Sequence, residues 1–324
     1  MPNLVKKFQN TCFQHSLFEK GAKIVLAVSG GPDSTCMLDI FPRLQKKYDL
    51  KLLIAHVNYS LRKKDSDLDE KFVRDLAEKY GIEIFVKNML ETQNFASLRK
   101  KNISENYLRD VRYEFFEKIR KENNFDFIAV AHNRDDQAET FLMRAIRGAG
   151  TAGLAAMRFK NNFIIRPLLE ISREEILDYL KKNKLKWRLD KTNLESKFLR
   201  NKIRNKLIPM LEKNFNPDIK KTLADAAASI AEDEDFLSKT SKKAFRNLKE
   251  LSVSKIIKLH PAIQRRILRI AIAAQNKNLK NISAAHIEEA LKIIKSDKSK
   301  SQIVIFAGLK ITRKGDKLEI EKIN

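Results

Sequence analysis

The sequence predicts an α/β chain: a doubly wound, mostly parallel sheet followed by a smaller, mainly helical α+β domain. Three observations lead there. Short apolar runs alternate with longer segments of helical spacing through the first half of the chain. Some of these runs are continuous and β-branched, as in Ile24-Val25-Leu26, which suits strands covered on both faces. After Gly153 the alternation stops, and from about residue 216 the pattern turns helical.

Leu4, Val5, Phe8, Cys12 and Phe13 recur at helical spacing, so the chain opens with an amphipathic helix closed near Gly21. Strands are expected at 23–28, 50–57, 83–86 and 125–131, with helices at 34–47, 67–80 and 104–122. Pro42 inside the first of these helices predicts a kink or an early end. Ser172 and Glu175 form a capping box ahead of a helix that runs to about Lys184. A basic helix at 197–207 is expected to end at Pro209, and 214–217 reads as a linker. The division therefore falls into domains 1–215 and 216–324. The second holds helices at 219–245, 261–275 and 284–295, then short strands at 302–306, 310–312 and 318–321, with Lys314-Gly315-Asp316 turning between the last two.

Composition narrows the partner. Sixty-five basic residues against 41 acidic ones give a net charge of +24, a field that attracts polyanions, nucleic acid above all. Codon bias would trade Arg for Lys at constant charge, so it does not explain the excess. Cys12 and Cys36 have no spacing suited to zinc and read as buried apolar residues. No apolar run is long enough to span a bilayer, and residues 1–20 lack the apolar block of a signal peptide. A cytoplasmic protein without a membrane partner is expected.

The most informative stretch is Ser29-Gly30-Gly31-Pro32-Asp33-Ser34, between the first strand and the helix that follows. Paired glycines let the backbone turn sharply and approach a ligand. The N–H groups of the loop and of the helix start then point at one spot, where the helix dipole favours an anion such as phosphate. Ser29 and Ser34 add hydroxyl donors, and Asp33 is placed either to cap the helix or to hold Mg²⁺. The loop is not a Walker A motif, because it has no lysine and no GK[ST] ending.

In an open parallel sheet the ligand lies beyond the carboxyl ends of the strands. His56 ends the second strand, and Asp135, Asp136 and Glu139 follow the fourth, so all should converge on the loop. Three acids in five residues at a helix start complement the helix dipole. Beside a phosphate-binding loop they also make a site for Mg²⁺ and for an ammonium group.

SGGPDS resembles the signature of the N-type ATP pyrophosphatases, the PP-loop ATPases of Rossmann-like fold. Further segments extend the likeness: HVNYSLR at 56–62, RYEFF at 112–116, AHNRDDQAET at 131–140, RGAGTAGLAAM at 147–157, RPLL at 166–169, DKTN at 190–193 and RNKIRNKLIP at 200–209. In this order they resemble the tRNA(Ile)-lysidine synthetase family over nearly the first 210 residues. The family often has histidines where Tyr59 and Asn133 stand and a glycine where Ala156 stands, which argues against essential chemistry at Tyr59 or Asn133. The second domain resembles the compact form of the family, without the additional C-terminal domain of longer members.

The resemblance implies a carbon–nitrogen ligase that uses ATP and Mg²⁺. O2 of the wobble cytidine in an isoleucine tRNA with a CAU anticodon attacks the α-phosphorus of ATP, and pyrophosphate leaves. The ε-amine of free L-lysine then attacks C2, and AMP leaves. Ser29, Gly30, Gly31, Pro32, Asp33, Ser34 and His56 are implied to bind the nucleotide, with Asp33 and Asp136 on the metal. Asp33, Arg112, Asp135, Asp136 and Glu139 are the candidate catalytic residues, and Arg147, Arg200 and Arg204 the candidate tRNA contacts. The alternatives are an ATP-dependent tRNA thiolase, which needs a reactive cysteine and leaves Cys36 to watch, and a non-catalytic RNA-binding relic. Oligomeric state, a homodimer included, is left open.

Overall fold

The structure is a computed structural model that describes residues 3–59, 64–89, 105–188, 199–248, 250–275, 282–298 and 300–323. The end of the HVNYSLR segment, the DKTN segment and the first residues of the 104–122 and 197–207 helices lie outside these residues. The chain divides into two compact units, Met1–Ser229 and Ile230–Asn324.

The first unit begins with α1 (Leu4–Gln14), β1 (Lys23–Ala27), α2 (Pro32–Tyr48), β2 (Lys51–Asn58), α3 (Lys64–Tyr80), β3 (Ile84–Asn88), α4 (Glu105–Glu122) and β4 (Phe127–Ala129). It continues with α5 (Arg134–Ile146), α6 (Thr151–Leu154), β5 (Lys160–Asn161), β6 (Ile164–Ile165) and α7 (Arg173–Lys182). The sheet order is β3-β2-β1-β4-β6-β5, parallel throughout except for the edge strand β5. Strand order reverses between β1 and β4, and that switch point opens a crevice at their carboxyl ends.

Alternation along the strands explains why helices cover both faces. Ile24 and Leu26 of β1 and Ile54 of β2 pack with Phe8, Met37, Phe41 and Val73 from α1, α2 and α3. Val25, Leu53, Ala55 and Ile128 point the other way, onto Val111, Phe115, Phe116 and Ile119 of α4. Each strand buries both sets, which is why it reads as a continuous apolar run.

Two expectations are corrected. Pro42 neither ends nor shortens α2, which runs on to Tyr48. Buried Leu38, Ile40, Phe41 and Leu44 hold the helix against the core, and this outweighs the one backbone hydrogen bond that proline removes. Nor does Pro209 end the basic helix. The segment α8 (Leu199–Lys202) passes through one π turn, Ile203–Leu207, into α9 (Ile208–Asn214), and this wider turn accommodates Pro209 without ending the helix.

The 214–217 stretch does break the chain between helices, but the compact units part further on, inside α10 (Ile219–Asn247). The start of that helix belongs with the first unit because Lys220 pairs with Asp135 at 3.2 Å and Ala227 is fully buried. The second unit continues with α11 (Val253–Ile257), α12 (Pro261–Gln275) and α13 (Ala284–Ile294). An antiparallel sheet of β7 (Gln302–Phe306), β8 (Leu309–Lys314) and β9 (Lys317–Lys322) follows. Ile267, Leu268, Ile272, Ile287 and Leu291 pack on Leu309, Ile311, Leu318 and Ile320 in a separate core. Among the described residues no helix is long and apolar enough to cross a membrane.

Candidate active site

The Ser29–Ser34 loop turns at the end of β1 because Gly30 adopts φ +84°, a left-handed conformation that costs an L side chain about 1–2 kcal/mol. Its carbonyl is tied on two sides, accepting from Thr35 Oγ1 at 3.3 Å and from the Arg188 backbone N–H at 2.9 Å. A methyl group at Gly30 would lie 3.4 Å from both Phe72 Cδ1 and Val73 Cγ2. Gly30→Ala should therefore lower stability by about 1–2 kcal/mol. The urea unfolding midpoint reads this, and an unchanged midpoint would show that the loop relaxes freely.

Gly31 is the N-cap of α2 and Pro32 its first residue; no side chain caps the helix. The first-turn N–H groups are left for a ligand, as in other anion sites at helix starts. Ser34 braces the loop: it is buried, its hydroxyl donates to the Gly31 carbonyl at 3.1 Å, and it accepts from the Ser29 N–H at 3.2 Å. The hydroxyl expected to meet a phosphate is thus engaged within the loop, while Ser29 is exposed.

Loop and strand ends wall a cavity of about 250 Å³. It is lined by Ser29, Gly31, Asp33 and Ser34 of the loop, by Tyr59, Arg112, Tyr113 and Phe116, and by Ala131 and His132. His56 is not part of it. It is buried, with Nδ1 2.8 Å from the Val28 carbonyl, and so supports the loop from beneath. Burial lowers its pKa and keeps the ring neutral.

Asp33 and Asp136 meet through Asn133. Its side-chain amide donates to Asp33 Oδ1 at 3.0 Å, and its backbone N–H donates to Asp136 Oδ2 at 3.1 Å. Asn133, which the sequence did not single out for chemistry, is also the N-cap of α5. Arg173 reaches Asp33 Oδ2 at 3.3 Å from the start of α7. Burial, then the Asp136 charge, push the Asp33 carboxyl up to about 6. The folded pKa stands above the ordinary 3.8, so this group's stabilising contribution is present below pH 3.8 and is lost as pH rises through about 6. Asp33→Asn stays neutral, so its stability relative to the parent should climb by roughly 3 kcal/mol across that window. Parallel urea titrations at pH 4 and pH 7 measure the change, and an equal difference at both would refute the linkage.

Asp136 and Glu139 hold two guanidinium groups. Arg200 reaches Asp136 at 3.1 Å and Glu139 at 2.8 Å. Arg204, within the π turn, reaches the same two carboxylates at 3.1 Å and 2.5 Å. Burial works against the charge on Asp136, but Arg200 first, then His132 and Arg204, keep its pKa below the usual range. Two of the three residues expected to contact tRNA therefore pair directly with the acids expected to hold an ammonium group.

Other expected site residues stand apart. Asp135 faces away, accepting the Arg173 backbone N–H at 3.1 Å and the Lys220 ammonium at 3.2 Å. Arg147 is exposed at the far end of α5, away from the cavity. Sequence reasoning missed Arg166, which is buried, donates to His132 Nδ1 at 3.3 Å and to the Arg158 carbonyl at 2.8 Å. The RPLL segment carried it, but only folding brings β6, the strand that leads into it, beside β4. Cys36 is fully buried, and burial, then Asp33 and Asp39, raise its thiol pKa far above the reactive range.

A parallel sheet whose switch point carries this loop, with a carboxylate in the first turn of the next helix, defines a PP-loop protein. The PP-loop domain model matches residues 2–211, and the TilS substrate binding domain model matches residues 251–318. Over 299 residues the chain is 41% identical to the tRNA(Ile)-lysidine synthase of Clostridium tetani, covering 90% of this chain and 63% of that protein. Over 321 residues it is 34% identical to the tRNA(Ile)-lysidine synthase of Clostridioides difficile, covering 96% of this chain and 69% of that protein. The chain belongs to the tRNA(Ile)-lysidine synthase family and spans about two thirds of these relatives' length. Among solved structures, the U34-tRNA thiolase NcsA from Methanococcus maripaludis shares the fold, with a TM-score of 0.57 at 21% identity over 71% of this chain and 78% of that one.

Proposed function

We infer that the chain uses ATP to attach lysine to C2 of the wobble cytidine in an isoleucine tRNA with a CAU anticodon, through an adenylated tRNA. The observation that carries this is the meeting of an anion loop and a buried acid pair across one asparagine, in a chain of this family. Anion binding serves the triphosphate, the Asp33–Asp136 pair serves the cation that accompanies it, and Glu139 beside Asp136 extends the acids towards the ammonium of lysine. The inert thiol of Cys36 weighs against sulfur transfer.

Asp33 and Asp136 fit a Mg²⁺ ion, which takes one or two carboxylates and completes its shell with phosphate oxygens and water. The pKa of Asp33 is raised first by burial and then by the Asp136 charge, and a cation would offset that charge. When bound, the ion neutralises charge on the leaving pyrophosphate. The loop N–H groups hold that leaving group, and Arg112, which lines the same cavity, holds the adenylate phosphate. The cytidine must leave the anticodon stack to place O2 in line with the α-phosphorus. Asp136 and Glu139 then orient the lysine ammonium and take its proton, so that the free amine attacks C2 and AMP departs. Arg200 and Arg204 occupy that position first and have to yield it, and tRNA phosphates are the partners that draw them away. Arg147 and the 216–324 region supply further tRNA contacts.

The adenylation step is tested by following pyrophosphate from ATP and Mg²⁺ with and without the CAU isoleucine tRNA. Release should depend on tRNA and vanish when the wobble cytidine is replaced by uridine. Release at the same rate without tRNA would overturn the reading.

A further inference from the structure

The Arg173 guanidinium forms an ion pair with the loop carboxylate Asp33. Arg173 occupies the first turn of α7, whose N-cap Ser172 accepts the Glu175 N–H at 3.1 Å while Glu175 accepts the Ser172 N–H at 2.8 Å. Its own backbone N–H is fixed to Asp135 Oδ1 at 3.1 Å. The backbone is thus pinned from two sides, whereas the side chain crosses to Asp33 Oδ2 at 3.3 Å and stays about one third exposed. A pinned base with a fork about one third exposed can change partner without the fold moving.

We propose that Arg173 is a pyrophosphate-holding residue, parked on Asp33 until a cation takes that carboxylate. The proposal rests on the adenylation chemistry inferred above. Asp33 lies in the first turn of α2, beside the uncapped N–H groups that favour an anion. A cation on Asp33 repels the guanidinium at the moment when phosphate oxygens, its best alternative partners, arrive beside it. Arg173 then moves from a carboxylate to the β,γ-phosphates, and its charge offsets the charge that builds as the α,β bond breaks. In the resting site it shields Asp33 from the Asp136 charge, which otherwise acts to raise the Asp33 pKa.

The test measures binding of inorganic pyrophosphate, with Mg²⁺ present, to the full chain by calorimetry, with AMP as the second probe. Arg173→Ala should weaken pyrophosphate 10- to 100-fold and leave AMP within about 3-fold, and Arg173→Lys should recover part of the loss. Lys118→Ala, at an exposed pair with Glu122, serves as the charge control and should change neither. Equal loss of AMP and pyrophosphate would make Arg173 a prop for the loop and overturn the proposal, as would an unaltered pyrophosphate affinity. Retained AMP binding shows that the variant is folded. A parent protein that binds pyrophosphate through Arg173 but transfers no lysine to tRNA would sink the functional reading and leave this one standing.

Discussion

Asp33→Ala is expected to reduce tRNA-dependent pyrophosphate release at least about 10³-fold while leaving the chain folded. The carboxylate sits where three demands meet: the anion loop, the Asn133 bridge to Asp136 and the Arg173 guanidinium. Removing it takes away the carboxylate proposed to hold Mg²⁺ and the resting partner of Arg173. It also removes a group whose ionisation is held back by burial, so the folded state should gain stability near neutral pH. Loss of turnover with a gain in stability marks a functional group rather than a structural one. Pyrophosphate release and urea unfolding, measured on one preparation, check both halves. A stable variant with parental release would remove Asp33 from the chemistry.

Glu139→Ala is expected to be the most destabilising single change at the site. The carboxylate is 2% exposed and takes three hydrogen bonds, from Arg200 Nε, Arg204 Nε and Arg204 Nη2. Truncation takes the Glu139 carboxylate away from two part-buried guanidinium groups that also reach Asp136. Breaking a buried pair in this way costs about 3–5 kcal/mol. Glu139→Gln keeps the shape and two acceptor lone pairs and should lose less. The unfolding midpoints of the two variants test this order. If alanine cost no more than glutamine, the two arginines would be solvated well enough without their partner.

Much of the fold was legible because its causes are local. Continuous β-branched runs such as Ile24-Val25-Leu26 can be buried only between two helical layers, which fixed the parallel sheet. The SGGPDS loop was legible because Gly30 is required by a left-handed turn and Pro32 by a helix start. Local reading failed where packing outweighs propensity: α2 survives Pro42 because its neighbours are buried, and the basic segment survives Pro209 through a π turn.

The site was legible as a set of elements but not as a set of pairs. Strand ends placed the loop and the acids at one edge, yet Asp135 and Asp136, adjacent in sequence, point to different partners. Arg200 and Arg204 carried a basic pattern, and nothing in that pattern tells a phosphate contact from an ion pair with Glu139. Arg173 and Arg166 were invisible because each joins the site from an element more than 30 residues away from its partner.

The central claim is that one pocket both adenylates a cytidine and delivers lysine to it. Labelled lysine, ATP, Mg²⁺ and bulk tRNA incubated with the protein test it most directly. The account predicts label in a single isoleucine tRNA, with one AMP released per lysine attached and no label when Asp33 is replaced by alanine. Pyrophosphate release from that tRNA without any lysine incorporation would contradict it.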